Sequence, residues 1–283
     1  MSKNKSLITD AYYPTSGELP VCMTNDLLFH LLLQDPDDSE ILKGIISSFY
    51  EIPFDDITSA IVENPVSYGE TIKSKEMVLD IKALLNDDSI INLEMQVMNY
   101  MNWTERSISY LCRCFDNLNK GQGYLDVKGA YHIGFLDYTL FPDEPDFFAT
   151  YSIRNNKTYS LYTSKFGLSV VDLSRISMAT DDDKIYHRDL WASFFKAKSW
   201  EEIHMLAKQD NNIRSAAIKL HQISEDQKIR DEIWAREDYI RCQIDRDNYY
   251  KMQFAKQEST INEKDAELER LRSLLIKNGI DPN

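Results

Sequence analysis

Two neighbouring runs hold the residues best suited to chemistry: Leu79-Asp80-Ile81-Lys82-Ala83-Leu84-Leu85 and Ile90-Ile91-Asn92-Leu93-Glu94-Met95-Gln96-Val97. Strand side chains alternate, so Asp80 and Lys82 share one face, and Asn92, Glu94 and Gln96 share one face of the second run. The alternate positions are apolar: Leu79, Ile81 and Ala83, then Ile91, Leu93, Met95 and Val97. Asn86-Asp87-Asp88-Ser89 between the runs is a turn cluster, so the pair reads as a hairpin. Cross-strand neighbours lie on the same face, and pairing Asp80 with Glu94 or Gln96 gathers the polar groups. That pairing needs an odd loop, such as three residues with a bulge. An even turn at Asp87-Asp88 sets Asp80 against Met95 instead.

Two carboxylates brought within a few ångströms repel unless a cation lies between them or one is protonated. Mg2+ suits such a place, because it prefers oxygen, keeps several waters and completes its shell with phosphate; Mn2+ is the natural substitute. Asp80 and Glu94 are therefore the candidate metal ligands. The chemistry they imply is metal-assisted attack of water on a phosphodiester. The competing reading is plain: an amphipathic hairpin with one solvated face accounts for every position.

Composition sets the frame. A chain of 283 residues with 43% hydrophobic and 11% aromatic residues has enough apolar material for a proper core. No apolar run approaches the roughly 20 residues of a membrane span, and the start has no stretch of signal-peptide length, so a cytoplasmic, membrane-free protein is expected. Cys112 and Cys114 are one residue apart and Cys22 and Cys242 stand alone, which argues against a zinc site. The histidines, His30, His132, His187, His204 and His221, form no ligand pair and read as ordinary buried or surface residues. A net charge of −14 argues against broad electrostatic attachment to nucleic acid but leaves room for an acidic cation site.

The elements that must position these residues follow from pattern. Asn25 and its neighbours cap a short helix bearing Leu27, Leu28, Leu31 and Leu32, and Ser39 caps a second with Ile41, Leu42, Ile45, Ile46 and Phe49. Extended segments are expected at 57–66 and 77–85, then a strand at 90–97. A helix over 104–119 should end at Gly121, with a strand at 130–140 and further strands through 147–173 around an Asn155-Asn156 tip. From His187 on the pattern is helical. Ile261, Leu268 and Leu275 recur every seven residues, but Lys264 interrupts the seam, leaving a short coiled coil and a solvated helix both open. Helices and strands in this order suit a mixed α/β layer domain.

The run LDIKALLNDDSIINLEMQV resembles the hairpin of the Rpn family of recombination-promoting nucleases and transposases, within the PD-(D/E)XK superfamily, which shows an Asp, a turn and then Glu-x-Gln. Here these are Asp80, Glu94 and Gln96. Thr24-Asn25-Asp26-Leu27-Leu28-Phe29 resembles the family's first helix, and Arg106 and Tyr110 resemble its Arg and Tyr after the hairpin. Ala197-Lys198-Ser199-Trp200-Glu201-Glu202 and Ala235-Arg236-Glu237 extend the likeness to about 22–240. No proline precedes Asp80, His30 stands where relatives carry lysine, and Gln96 takes the place of the superfamily's lysine, as it does in the Rpn group.

The resemblance implies a restriction-endonuclease-like α/β fold: a mixed sheet flanked by helices, with a helical C-terminal extension. Pattern and resemblance together divide the chain into an arm at 1–20, a nuclease-like core at 21–175, a helical region at 176–224 and a long charged helix at 225–283, whose heptads leave homo-oligomer pairing open. The resemblance implies a Mg2+-dependent DNA endonuclease with Asp80, Glu94 and Gln96 catalytic. Lys82, on the face of Asp80, reads as a substitute positive charge or, more simply, an exposed strand lysine, and Arg106 and Tyr110, on one helix face, read equally as phosphate contacts or as packing against the sheet. The alternative is a nuclease-fold protein that has lost activity and acts by binding DNA or protein.

Overall fold

The computed structural model describes residues 13–34, 40–62, 81–86, 88–144, 146–279 and 281. The expected cap Ser39, the strand residues Met77 to Asp80 and the turn residue Asp87 lie outside this set. The chain divides into two units, Met1–Arg236 and Glu237–Asn283.

In the first unit a six-stranded sheet runs in the order β1-β2-β3-β4-β6-β5, with β1 Ala60–Val62, β2 Ile81–Leu85, β3 Ile90–Gln96, β4 Ala130–Leu136, β5 Phe148–Ser152 and β6 Phe166–Asp172. The centre is parallel, β3 with β4 and β4 with β6, and both edges are antiparallel. Parallel neighbours need a crossover. Helix α3, Trp103–Phe115, supplies it between β3 and β4 and lies on one face of the sheet.

The other face carries the main core. There Ile81, Ala83, Ile91, Leu93, Met95, Ile133, Phe135 and Val171 join the buried residues of α1 Asp26–Leu33, α2 Glu40–Tyr50, α5 Arg188–Lys196, α6 Trp200–Ala207 and α7 Asn211–Glu225. Phe135 anchors it, with ring centroids 5.6 Å from Phe29, 5.2 Å from Phe49 and 5.3 Å from Phe195. A short helix, α4 Asp181–Ile185, completes the set before α5. His30, in α1, is buried rather than presented to a ligand. Trp103, Trp191 and Trp200 are also core residues, whereas Trp234 is exposed and donates to the Pro20 carbonyl.

Several expectations shift in detail. Asn25 is the N-cap of α1, its side chain accepting from the Leu28 amide, while Asp26 receives a two-pronged pair from Arg236 at 2.5–3.1 Å. Residues 17–19 of the expected arm bond along 198–201. Helix α3 ends at Phe115, short of the expected Asn119. The Asn117 side chain takes the Cys114 and Lys128 carbonyls and the Lys128 amide, a local network that competes with another helical turn.

Helix α8, Gln227–Lys277, buries Ile229 and Ile233 in the first unit. Within the second unit it is exposed from 251 on, Phe254, Ile261, Leu268 and Leu275 included. No described helix is long and apolar enough to cross a membrane.

Candidate active site

The β2–β3 ladder pairs Ile81 with Leu93, Lys82 with Asn92, Ala83 with Ile91 and Leu84 with Ile90. The Leu85 amide then bonds to the Ser89 carbonyl, and the Asp88 amide bonds back to the Leu85 carbonyl. Three residues thus make the turn, with Asp88 in the left-handed region at φ 63°. This is the odd connection expected, and it places Lys82 on the face that carries Asn92, Glu94 and Gln96. Asp80 lies outside the described residues.

That face is not solvated. Helix α3 covers it, and Asn92, Glu94 and Gln96 are 1%, 3% and 6% exposed. The helix seats itself through two apolar patches, one of Ile90, Leu111, Cys114 and Ala130 and one of Trp103, Leu136 and Val170. Gly134, the register partner of Glu94, makes the second patch possible: a Cβ there would sit 2.0 Å from Trp103 Cζ2. With Trp103 pressed onto bare backbone, the next turn of α3 brings Arg106 to Glu94, Nη2 to Oε1 at 2.6 Å. Arg106 also lies 5.3 Å from the Tyr110 ring centre. Arg106 and Tyr110, on α3, therefore lie over the face that carries Glu94 and Gln96, and Lys82, on the same face of β2, is half-buried.

The polar residues in this layer are left with open valences. Among the described residues, Gln96 Oε1, Trp103 Nε1, Arg106 Nε, His132 Nε2 and the Tyr138 hydroxyl are buried without a hydrogen-bond partner. Each such atom costs about 1–3 kcal/mol if it stays unpaired, so this layer has groups that water or a polar ligand could satisfy. Burial, then the nearby Glu94 carboxylate, push the Tyr138 phenol up, against a smaller opposing pull from Arg106.

A family model described as PD-(D/E)XK nuclease family transposase matches residues 23–264. The chain belongs to this family. The six-stranded mixed sheet with flanking helices is its α/β fold, in agreement with the resemblance of the hairpin. No curated protein matches the chain, and no solved structure does.

A PD-(D/E)XK nuclease works with a divalent metal as a rule, and beneath α3 oxygen donors stand beside a guanidinium, Arg106 Nη2 lying 2.6 Å from Glu94 Oε1. Glu94 offers carboxylate oxygen and Gln96 Oε1 an unengaged carbonyl, the hard donors Mg2+ selects. Among the described residues there is no group of three or more His, Cys, Asp and Glu. Mg2+ does not require one, since one or two carboxylates with waters and substrate phosphate suffice.

The sequence reading missed His132, Trp103 and Tyr138 as parts of this layer. His132 is fully buried on β4, its Nδ1 2.9 Å from the Asn92 amide nitrogen and its Nε2 4.0 Å from Glu94 Oε2. The only signal for it was the alternation Ala130, His132, Gly134, Leu136, which fixes a face but not the neighbouring strand.

Burial, and then the Arg106 guanidinium, push the His132 imidazole down to about 3. In the unfolded chain it titrates near 6.5, so its contribution to stability is full above that pH and is lost as pH falls from there toward 3. The slope approaches about 1.4 kcal/mol per pH unit. His132→Gln is therefore expected to remove roughly 2 kcal/mol of the stability loss between pH 7 and pH 5. Urea unfolding of both proteins at the two pH values checks this, and identical pH dependence would contradict it.

Proposed function

We propose that this PD-(D/E)XK family member is a Mg2+-dependent DNA endonuclease that hydrolyses phosphodiester bonds in the cytoplasm in the course of recombination or transposition, with Mn2+ able to replace Mg2+. The observation that supports it best is the β2–β3 register. Ile81 opposite Leu93 is the alignment that an Asp80–Glu94 pair requires, and Glu94 is already buried beside orphaned polar atoms. When bound, the metal polarises water and neutralises charge that develops on the phosphate.

The chain's own residues then divide the work. Asp80 and Glu94 hold the ion. Gln96, its amide nitrogen fixed to the Met98 carbonyl at 2.7 Å, turns Oε1 toward the attacking water. A neutral amide adds no positive charge, so Lys82 supplies it from the same face. Arg106 and Tyr110 meet the phosphate backbone from α3.

The rival reading, a nuclease-fold protein that binds DNA or protein without cutting, draws on the net charge of −14 and on the Arg106–Glu94 ion pair. Plasmid nicking separates the two. The full chain should relax supercoiled DNA only with a divalent metal, and Asp80→Ala should not. Cleavage surviving in that variant removes Asp80 from the mechanism, and no cleavage under any divalent metal favours the binding protein.

The exposed row Ile261, Leu268 and Leu275 on α8 is proposed to pair two copies of the chain. Leu268→Lys should shift the full chain from dimer to monomer in sedimentation equilibrium. A wild-type chain that is monomeric at tens of micromolar would sink this part of the proposal.

A further inference from the structure

We infer that Asn92 and His132 are positioning residues for Glu94: Asn92 fixes the imidazole with its proton on Nε2, and that N–H is aimed at the second oxygen of the Glu94 carboxylate. The inference rests on the reading of Glu94 as the reactive carboxylate and deepens it.

The ladder makes the arrangement. Asn92 faces His132, and Glu94 faces Gly134, in the parallel register of β3 and β4. Both side chains of the first pair point under α3 and are out of solvent. The Asn92 amide nitrogen lies 2.9 Å from His132 Nδ1. An amide N–H donates, so Nδ1 accepts and the ring proton sits on Nε2.

The other end of the ring agrees independently. Nε2 faces Glu94 Oε2 at 4.0 Å and has no hydrogen-bond partner among the described residues. A lone pair aimed at a carboxylate would be repelled, whereas an N–H is attracted. Trp103, 5.4 Å away between ring centres, and Tyr110 at 6.4 Å wall the imidazole in and keep it from turning.

The span of 4.0 Å is too long for a direct bond. It is the separation that one water closes, with legs of about 2.8 Å to donor and acceptor. Glu94 is then oriented from both sides: Arg106 grips Oε1 at 2.6 Å, and His132 reaches Oε2 through that water. With Oε1 held by Arg106 and Oε2 facing the His132 N–H, the carboxylate is restrained against rotation. Residues that hold a metal ligand in this way typically change activity by about 10–100-fold when lost.

The test is the tautomer of His132, read from the ring 15N shifts of histidine-labelled full-length protein at neutral pH, with His132→Leu assigning the signals. Nε2–H is expected. The Nδ1–H tautomer would mean that Asn92 accepts rather than donates and that Nε2 offers a lone pair, and it overturns the inference. In the plasmid assay, Asn92→Leu should lower kcat by about tenfold with KM changed less than twofold. Wild-type kcat in a folded Asn92→Leu protein overturns the inference as well. Mn2+ added to the labelled sample should broaden the His132 signals. Sharp signals together with the Nε2–H tautomer would contradict metal binding at Glu94 while upholding the positioning pair, so the two readings fail separately.

Discussion

Glu94→Gln is expected to reduce Mg2+-dependent cleavage by about a thousandfold while leaving the chain folded. The substitution keeps the shape of the side chain and its capacity to accept from Arg106 through Oε1, so the packing under α3 has little reason to change. What it removes is the negative charge. A cation site that rests on Glu94 and Asp80 loses half its carboxylate charge, and several kcal/mol of transition-state stabilisation go with it, each 1.36 kcal/mol being worth a factor of ten in rate. Arg106 then carries an unmatched charge. Because its side chain is 26% exposed, water absorbs part of that cost. The measurement is the initial rate of plasmid nicking at saturating Mg2+, with near-ultraviolet circular dichroism as the check on folding. A rate within tenfold of wild type in a folded variant contradicts a metal role for Glu94.

Gly134→Ala should be the most damaging added methyl among the described glycines. The added carbon would lie 2.0 Å from Trp103 Cζ2 and 2.3 Å from Cη2, far inside contact distance. Neither partner yields easily. Gly134 is in the middle of β4 with parallel neighbours on both sides, and the Trp103 ring is 2% exposed against Leu136 and Val170. Overpacking of this sort costs about 3 kcal/mol or more. The damage also has a direction. Trp103 is the first residue of α3, so lifting its ring lifts the turn that carries Arg106 and uncovers Glu94. Gly167→Ala is the control, since its Cβ meets only the edge of Tyr131 at 3.1 Å. Urea unfolding should show Gly134→Ala losing several times more stability than Gly167→Ala. Equal losses would mean that the Trp103 contact does not hold the helix in place.

The fold and the site were unequally legible. The hairpin could be read because its alternation is clean and because a turn of Asn and Asp tolerates the left-handed residue an odd loop needs, a role Asp88 fills. The helices of the core side could be read from their spacing. The fate of the polar face could not. Asn92, Glu94 and Gln96 look like a solvated face until the crossover helix is laid on them, and nothing local to β3 says that Trp103 will find bare backbone at Gly134 to pack against. His132 was hidden for a related reason. Its strand is 40 residues from Asn92, and only the parallel register joins them. The net charge of −14 gave no guidance here, because it averages over surfaces and does not resolve one buried carboxylate beside one arginine.

The central claim is that Asp80 and Glu94 meet at one divalent ion. A manganese anomalous difference map from crystals of the full chain tests it most directly. The account predicts a single peak beneath the start of α3, with a carboxylate oxygen from each residue at about 2.1 Å. A saturating soak that shows no peak there, with Arg106 still paired to Glu94, would contradict it.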